Sequence, residues 1–266
     1  MTVKITDLSY HYPDGTRGLR AVNLELFSGR RTAILGVNGS GKSTLLYHLN
    51  GTFLPQQGQV QVLGVQVSKK TVAALRRQVG FLFDYPDHQL FATSVARDVA
   101  FGPRNYGFTK SEIGPMVQRA LERVEMEALK EKPPYQLSLG QKKRAAIAGV
   151  IAMEPQLIVC DEPFSGLDPH AQEQFQRMLD KWVKEGRTMV FSTHDVDFAY
   201  SWADDAVLMT EGQVLAHGPV REVLENHQAM GRAKLKPPLL AQLFSHYTHK
   251  PRNLEEALDL IREERP

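Results

Sequence analysis

Gly36-Val37-Asn38-Gly39-Ser40-Gly41-Lys42-Ser43-Thr44 fits the pattern Gly-x-x-x-x-Gly-Lys-Ser/Thr, and the rest of the chain is read outward from it. The short apolar run Thr32–Leu35 precedes the loop, and an apolar helix is predicted from Ser43. Glycines let backbone N–H groups turn inward around an anion, and the following helix adds the positive end of its dipole. Lys42 can reach β- and γ-phosphates, and the Ser43 hydroxyl can ligate Mg²⁺. The strand before and the helix after disfavour the alternative of a glycine-rich turn that binds nothing. Alone, such a loop leaves small-molecule kinases, GTPases, helicases and transport motors open.

Leu157-Ile158-Val159-Cys160-Asp161-Glu162 is an apolar strand ending in two acids. Burying one carboxylate beside another is costly unless a cation or a proton relieves it. Beside a phosphate loop the cation is Mg²⁺, held by Asp161 through its hydration shell. Glu162 is then free to orient and polarise an attacking water. The competing reading is a strand end whose acids face solvent. Ser138-Leu139-Gly140-Gln141, preceded by Leu137, reads as a helix start with Ser138 at the N-cap and Gln141 at N3. Locally, capping explains it completely.

Around these motifs, Val3-Lys4-Ile5 and Leu24-Glu25-Leu26 alternate like half-exposed strands about a turn at Asp14-Gly15, and Gly58–Val67 alternates again. Leu157–Cys160 and Thr188–Phe191 read as buried parallel strands. Between them Phe175, Met178, Leu179, Trp182 and Val183 share a helical face that Gly186 ends. Strands alternating with helices imply a sheet covered on both faces. Residues from about 84 to 155 carry little strand signal and read as a helical insertion. After about Val220 the chain changes character: Pro237-Pro238 interrupts it, and Asn253–Glu256 looks like a capping box. Leu254, Ala257, Leu258 and Ile261 then form an apolar stripe, which either packs on the main domain or makes a dimer contact.

Composition narrows the class. A chain of 266 residues, 42% hydrophobic and 23% charged, supports one large domain with an appendage. Lys+Arg total 32 against 30 acids, a net charge of +2, which argues against nucleic acid as a partner. Blocks such as Lys142-Lys143-Arg144 are expected to be solvated helix faces. One cysteine, Cys160, excludes an internal disulfide and suits a reducing compartment. Met1–Asp14 lacks the layout of a signal peptide. The longest apolar run, Ala145–Met153, has nine residues, against roughly 20 for a membrane span. A cytosolic protein, or one held to a membrane only through partners, is expected. His246-Tyr247-Thr248-His249 lacks a third ligand for a metal.

Leu137–Gln141 resembles the Leu-Ser-Gly-Gly-Gln signature of ATP-binding cassette proteins, with Leu139 replacing the first glycine. The order of elements also resembles that family: aromatic, phosphate loop, signature, acidic pair, Ser165-Gly166-Leu167-Asp168, then His194. The match spans about Val3 to Gly218. It implies an α/β P-loop cassette with an antiparallel β subdomain and a helical subdomain over residues 1–220, followed by a small helical extension over 221–266. It further implies that ATP and Mg²⁺ are bound and that the signature of one subunit closes over the ATP of another. Tyr12 resembles the residue that stacks on adenine, the alternative being a hairpin packing residue beside Tyr10. Asp168 resembles the acid that crosses between subunits, and His194 the switch histidine that meets the γ-phosphate. Asp84 stands where the family usually places a metal-sensing glutamine, so it either approaches Mg²⁺ or points to solvent while Gln89 serves the loop.

Phe83–Phe91, Asp98–Pro103, Gly140–Arg144 and Ala148–Pro155 resemble the ATPase subunits of energy-coupling factor transporters. Thr44–Gly51 and Ala152–Pro155 are more similar to the cobalt and nickel branch than to the vitamin branch. The resemblance implies a second ATPase subunit, a transmembrane coupling subunit and a substrate-binding membrane subunit as partners. It also implies a peripheral place on the cytoplasmic face of the membrane and a tail involved in dimerisation. Cassettes acting on ribosomes or nucleic acid usually carry two cassettes or a long coiled coil, and neither is evident here.

Overall fold

Alternating apolar residues make Val3–His11 a half-buried strand, β1, which turns at Asp14-Gly15 and returns as β2 (Arg17–Leu26). The computed structural model describes residues 1–248 and 250–263. Next come β3 (Arg31–Leu35), α1 (Lys42–Leu49), β4 (Gln57–Val62), β5 (Val65–Gln66), α2 (Val72–Leu75) and β6 (Val79–Leu82). Between residues 84 and 155 every regular element is helical: α3 (Val95–Val99), α4 (Phe101–Asn105), α5 (Lys110–Arg123), α6 (Leu139–Ile151) and short 3₁₀ turns. The chain then runs through β7 (Leu157–Cys160), α7 (Pro169–Lys184), β8 (Thr188–Thr193), α8 (Val196–Trp202), β9 (Asp205–Thr210) and β10 (Gln213–Pro219). Helices α9 (Val220–Leu224), α10 (His227–Arg232), α11 (Leu239–Leu243) and α12 (Leu254–Glu263) complete it.

Two sheets result. The small one is antiparallel in the order β2-β1-β4-β5. The large one runs β10-β9-β3-β8-β7-β6, parallel throughout except for the β10 edge. Helix α1 lies between them: Leu45, Leu46 and Leu49 share a core with Val3, Ile5 and Val60 of one sheet and Ile34, Val159 and Val190 of the other. On the opposite face Leu35, Cys160 and Phe191 meet Ile147, Phe175, Leu179 and Tyr200. This is the P-loop cassette fold, with its antiparallel sheet and helical layer. Strands β6, β9 and β10 escape sequence patterning, since β6 has only four residues, one of them Gly80, and β9 is buried at all but one position, so neither shows alternation.

The chain beyond Val220 is not the separate unit that its change of character suggests. Val220, Val223, Leu224, Met230, Ala233 and Ala241 all join the core on the helical face. Only further on does the tail become peripheral. Asn253 Oδ1 accepts the N–H of Glu256 at 2.9 Å, and the Glu256 carboxylate accepts from Asn253 Nδ2 at 2.9 Å and from the Arg252 N–H at 2.8 Å. Arg252 donates to the carbonyls of Tyr200 and Ala203, which ties the tail to the end of α8. The apolar stripe divides: Ala257 is buried, whereas Leu254, Leu258 and Ile261 are 70%, 42% and 41% exposed.

Because Met230 sits in the main core, Met230→Ala is expected to destabilise the whole cassette by about 2–5 kcal/mol. Urea unfolding followed by tryptophan fluorescence should show one transition moved to lower urea. A separate early transition, with the main one unmoved, would mean that residues beyond 220 unfold on their own.

Candidate functional site

Parallel pairing gathers the site. Leu35 lies opposite Thr193, Cys160 opposite Phe191, and Leu82 opposite Cys160. Strands β3, β8, β7 and β6 therefore end at one edge of the sheet, and each delivers there the residues that follow it: Gly36, His194, Asp161 with Glu162, and Asp84. Ligands of open parallel sheets bind at this carboxyl edge.

The loop from Gly36 to Gly41 links β3 to α1. Gly36 has φ 157°, and a Cβ there would stand 2.4 Å from Ser40 Oγ and 2.5 Å from the Met209 carbonyl, so only glycine fits. Lys42 opens α1 and is buried; its Nζ donates to the carbonyls of Gly36 at 2.8 Å and Val37 at 3.3 Å. Burial pulls its pKa below the ordinary lysine value, and the nearby Glu162 and Asp161 oppose the shift. A phosphate oxygen offers this ammonium a charge-assisted bond stronger than either carbonyl. A cleft of about 450 Å³ opens beside it, lined by Asn38, Gly39, Ser40, Gly41, Lys42, Ser43 and Thr44, by Tyr12 and Gly18, and by Asp84, Asp161 and Glu162. Tyr12 packs beside the hairpin and borders the cleft. Its hydroxyl shares a 2.7 Å hydrogen bond with the Thr44 hydroxyl, and its ring meets Tyr10 and Phe53 edge-on at 5.4 and 5.8 Å while lining the cleft.

Asp161 is buried rather than turned to solvent, and its Oδ1 accepts from Ser192 Oγ at 2.6 Å. The same Ser192 oxygen accepts the Glu162 N–H at 2.8 Å. Sequence reasoning missed Ser192; the available signal was a serine inside an otherwise apolar buried strand, where a hydroxyl must find partners. Glu162 has φ 42°, a left-handed backbone costing on the order of 1 kcal/mol for a residue with a Cβ. Its Oε2 lies 3.2 Å from Nδ1 of the exposed His194.

Asp84 lines the cleft instead of facing bulk solvent. Desolvation raises its pKa, the like charges of Asp161 and Glu162 raise it further, and Lys143 and His88 counteract. Gln89 braces the same segment: its Oε1 accepts the Phe83 N–H at 3.3 Å, and its Nε2 donates to the Ala146 carbonyl at 3.2 Å. Among the described residues no three His, Cys, Asp or Glu side chains form a metal cage. Mg²⁺ needs none, since it keeps waters and uses one or two carboxylates together with phosphates. The oxygen donors Ser43, Asp161 and Asp84 in one cleft fit that habit. Of the histidine pair near the tail, His249 lies outside the described residues.

The remaining predicted residues lie apart. Ser138 caps α6 in a reciprocal capping box, its Oγ accepting the Gln141 N–H at 3.3 Å while Gln141 Oε1 accepts the Ser138 N–H at 3.1 Å. Asp168 caps α7 through the Ala171 N–H at 2.9 Å. Ser138, Gly140, Gln141 and Asp168 are absent from the walls of the cleft. The Lys142-Lys143-Arg144 block is no solvated face: Lys142 pairs with Asp87 at 2.6 Å, Lys143 is fully buried, and Arg144 reaches the Val124 carbonyl at 3.5 Å. The lone Cys160 is also buried, which pushes its thiol pKa well up.

Residues 19–165 match the ABC transporter family. Over 265 residues the chain is 45% identical to the energy-coupling factor transporter ATP-binding protein EcfA of Carboxydothermus hydrogenoformans, covering 98% of each chain. It is 43% identical to EcfA of Methanocaldococcus jannaschii, over 91% of this chain and 87% of that one. Among solved structures it resembles cbiO1 from Clostridium perfringens, described as part of the ABC transporter complex cbiONQ, with TM-score 0.77, 39% identity and coverage of 92% and 98%. A dimeric ATP-binding cassette bound to ADP and phosphate in a post-hydrolysis state matches at TM-score 0.74 and 27% identity, over 82% of this chain and 99% of that one. The chain is thus an ATP-binding cassette ATPase, and within that class it belongs to the ATP-binding proteins of energy-coupling factor transporters. Among the described residues no helix is long and apolar enough to cross a membrane.

If Asp84 approaches the cation, Asp84→Asn should raise the Mg²⁺ concentration for half-maximal ATPase activity by about threefold or more, since one charge is lost. Asp84→Gln should keep most turnover. A Mg²⁺ titration of Asp84→Asn that superimposes on the parent curve would remove this residue from the metal's surroundings.

Proposed function

We propose that the chain is the motor of an importer for cobalt or nickel ions, and that it hydrolyses ATP between two cassette subunits. The observation that carries the two-subunit part is the separation just described. Lys42 and the acidic residues line one cleft, while Ser138, Gly140, Gln141 and Asp168 stand outside it. The free N-terminus of α6, 13 residues long and capped by Ser138, suits a γ-phosphate presented by another molecule. A second copy facing the first brings each signature helix to the other's phosphate loop.

In that arrangement the loop N–H groups and Lys42 hold the phosphates, Tyr12 stacks on the base, and Glu162 orients the attacking water. His194, already beside the Glu162 carboxylate, turns toward the γ-phosphate. Ser43 and Asp161 would hold Mg²⁺, whose charge would offset that developing on the phosphates. The exposed apolar residues of α12 support a contact between tails, and the helical layer over about 84–155 is the surface offered to a membrane-embedded coupling subunit. A separate membrane subunit supplies the ion site. The metal branch rests on the wording of Thr44–Gly51 and Ala152–Pro155 and on likeness to a cbiO1 subunit. Uptake of radioactive cobalt and nickel by cells carrying this subunit with its membrane partners tests it; uptake of a vitamin instead would move the chain to the other branch.

The shared site has its own test. Ser138→Arg should abolish hydrolysis while leaving ATP binding to the isolated chain intact, and Lys42→Ala should lose nucleotide affinity. Mixed, they form dimers with one doubly damaged site and one intact site, so a measurable part of the ATPase activity should return. No recovery, despite mixed dimers detected by cross-linking, would count against two independent shared sites.

A further inference from the structure

No strand partner holds the backbone of Glu162: its carbonyl accepts the Ser165 N–H at 3.1 Å, and side chains bind it on both sides. Ser192 takes its N–H, and its carbonyl accepts from Lys143 Nζ at 3.2 Å. The same Nζ donates to the carbonyls of Pro163 at 2.9 Å and Ser165 at 2.8 Å. Lys143 is only 1% exposed and is not among the residues lining the cleft. An ammonium has three N–H donors and here meets three carbonyls; a neutral amine has two, so the arrangement selects the charged form. Burial opposes that charge, while Asp84 and Glu162 favour it. Every donor of a buried cation is thus committed to one turn, the one that leads from the acidic pair at the end of β7 to Asp168 at the start of α7. The cation belongs to α6, the helix whose N-terminus is the signature.

We infer that Lys143 is a positioning residue for ATP hydrolysis. It fixes the Glu162–Ser165 turn, and with it the Glu162 carboxylate, against the signature helix of the same subunit. The inference rests on the proposed role of Glu162. It separates Lys143 from a mere core filler, because methionine fills nearly the same volume yet donates nothing.

The test compares purified full-length Lys143→Met, Lys143→Gln and Glu162→Gln with the parent. Lys143→Met should bind ATP within about twofold and keep KM within about twofold, while kcat falls about tenfold or more. It should accumulate an ATP-loaded dimer, as Glu162→Gln is expected to do. Lys143→Gln, which keeps two N–H donors, should recover part of the loss. Added to Glu162→Gln, Lys143→Met should change turnover by no more than about twofold, because a group acting through an absent carboxylate has nothing left to position. Parental kcat in folded Lys143→Met would overturn the inference. So would an equal loss of ATP binding, or a full further loss in the Glu162→Gln background. If Lys143→Met does not fold, Lys143→Gln carries the same comparisons. Parental turnover in Glu162→Gln would strike the role of Glu162 itself; slow Glu162→Gln beside unimpaired Lys143→Met would strike only the inference.

Discussion

Three carboxylates, Asp84, Asp161 and Glu162, converge at one edge of a parallel sheet, and the structure around them is organised by the need to hold like charges together. Separation of such groups would be the default, since each raises the energy of ionising the others and burial adds to the penalty. The pairing of β6, β7, β8 and β3 denies that option by ending all four strands at the same level. Two buried lysines stand near them, Lys42 at the phosphate loop and Lys143 at the acidic turn. Both hold backbone carbonyls in this structure. Their situations differ, however: Lys42 borders the cleft and can exchange carbonyls for phosphate, whereas Lys143 is sealed off and cannot.

The parts legible in the sequence are those whose chemistry is contiguous in the chain. The phosphate loop, the acidic pair after an apolar strand and the Ser138–Gln141 cap each fit within a few residues, and their partners lie within the same few residues. Ser192 and Lys143 were not legible, because their roles lie 30 and 19 residues away from Glu162, across the sheet and across a helix. A lysine within Lys142-Lys143-Arg144 carries no local mark of burial. The end of the main core is hidden from the sequence for a related reason. Prolines at 237 and 238 punctuate the backbone, but Met230 and Ala241, on either side of them, find the same apolar surface. Asp84 follows the last residue of β6 by two positions, and only tertiary contacts choose between cleft and solvent.

Comparison with relatives adds the class but not the chemistry of the cargo. Identity of 45% over nearly the whole chain places it among the ATP-binding proteins of energy-coupling factor transporters. Among the described residues no group of three or more His, Cys, Asp or Glu side chains could hold a metal ion.

The departure at Leu139 is best understood through packing. A glycine at this position would leave the start of α6 bare, whereas Leu139 is 41% exposed and rests against the turn before Asp168. A Cβ on Gly166 would stand 2.8 Å from Leu139 Cδ2, so the turn accommodates the leucine by having no side chain there. One residue on, Gly140 faces Ala171 and Leu167, and a hypothetical Cβ would meet them at the ordinary contact distances of 3.4 and 3.8 Å. Lys143 binds the same turn from the next helical turn of α6, at Ser165. The signature helix and the acidic turn are therefore joined by two contacts of different kinds, one apolar and one a hydrogen bond from an ammonium to a carbonyl. The leucine that departs from the motif and the lysine four residues on thus tie the start of α6 to the same Glu162–Asp168 segment.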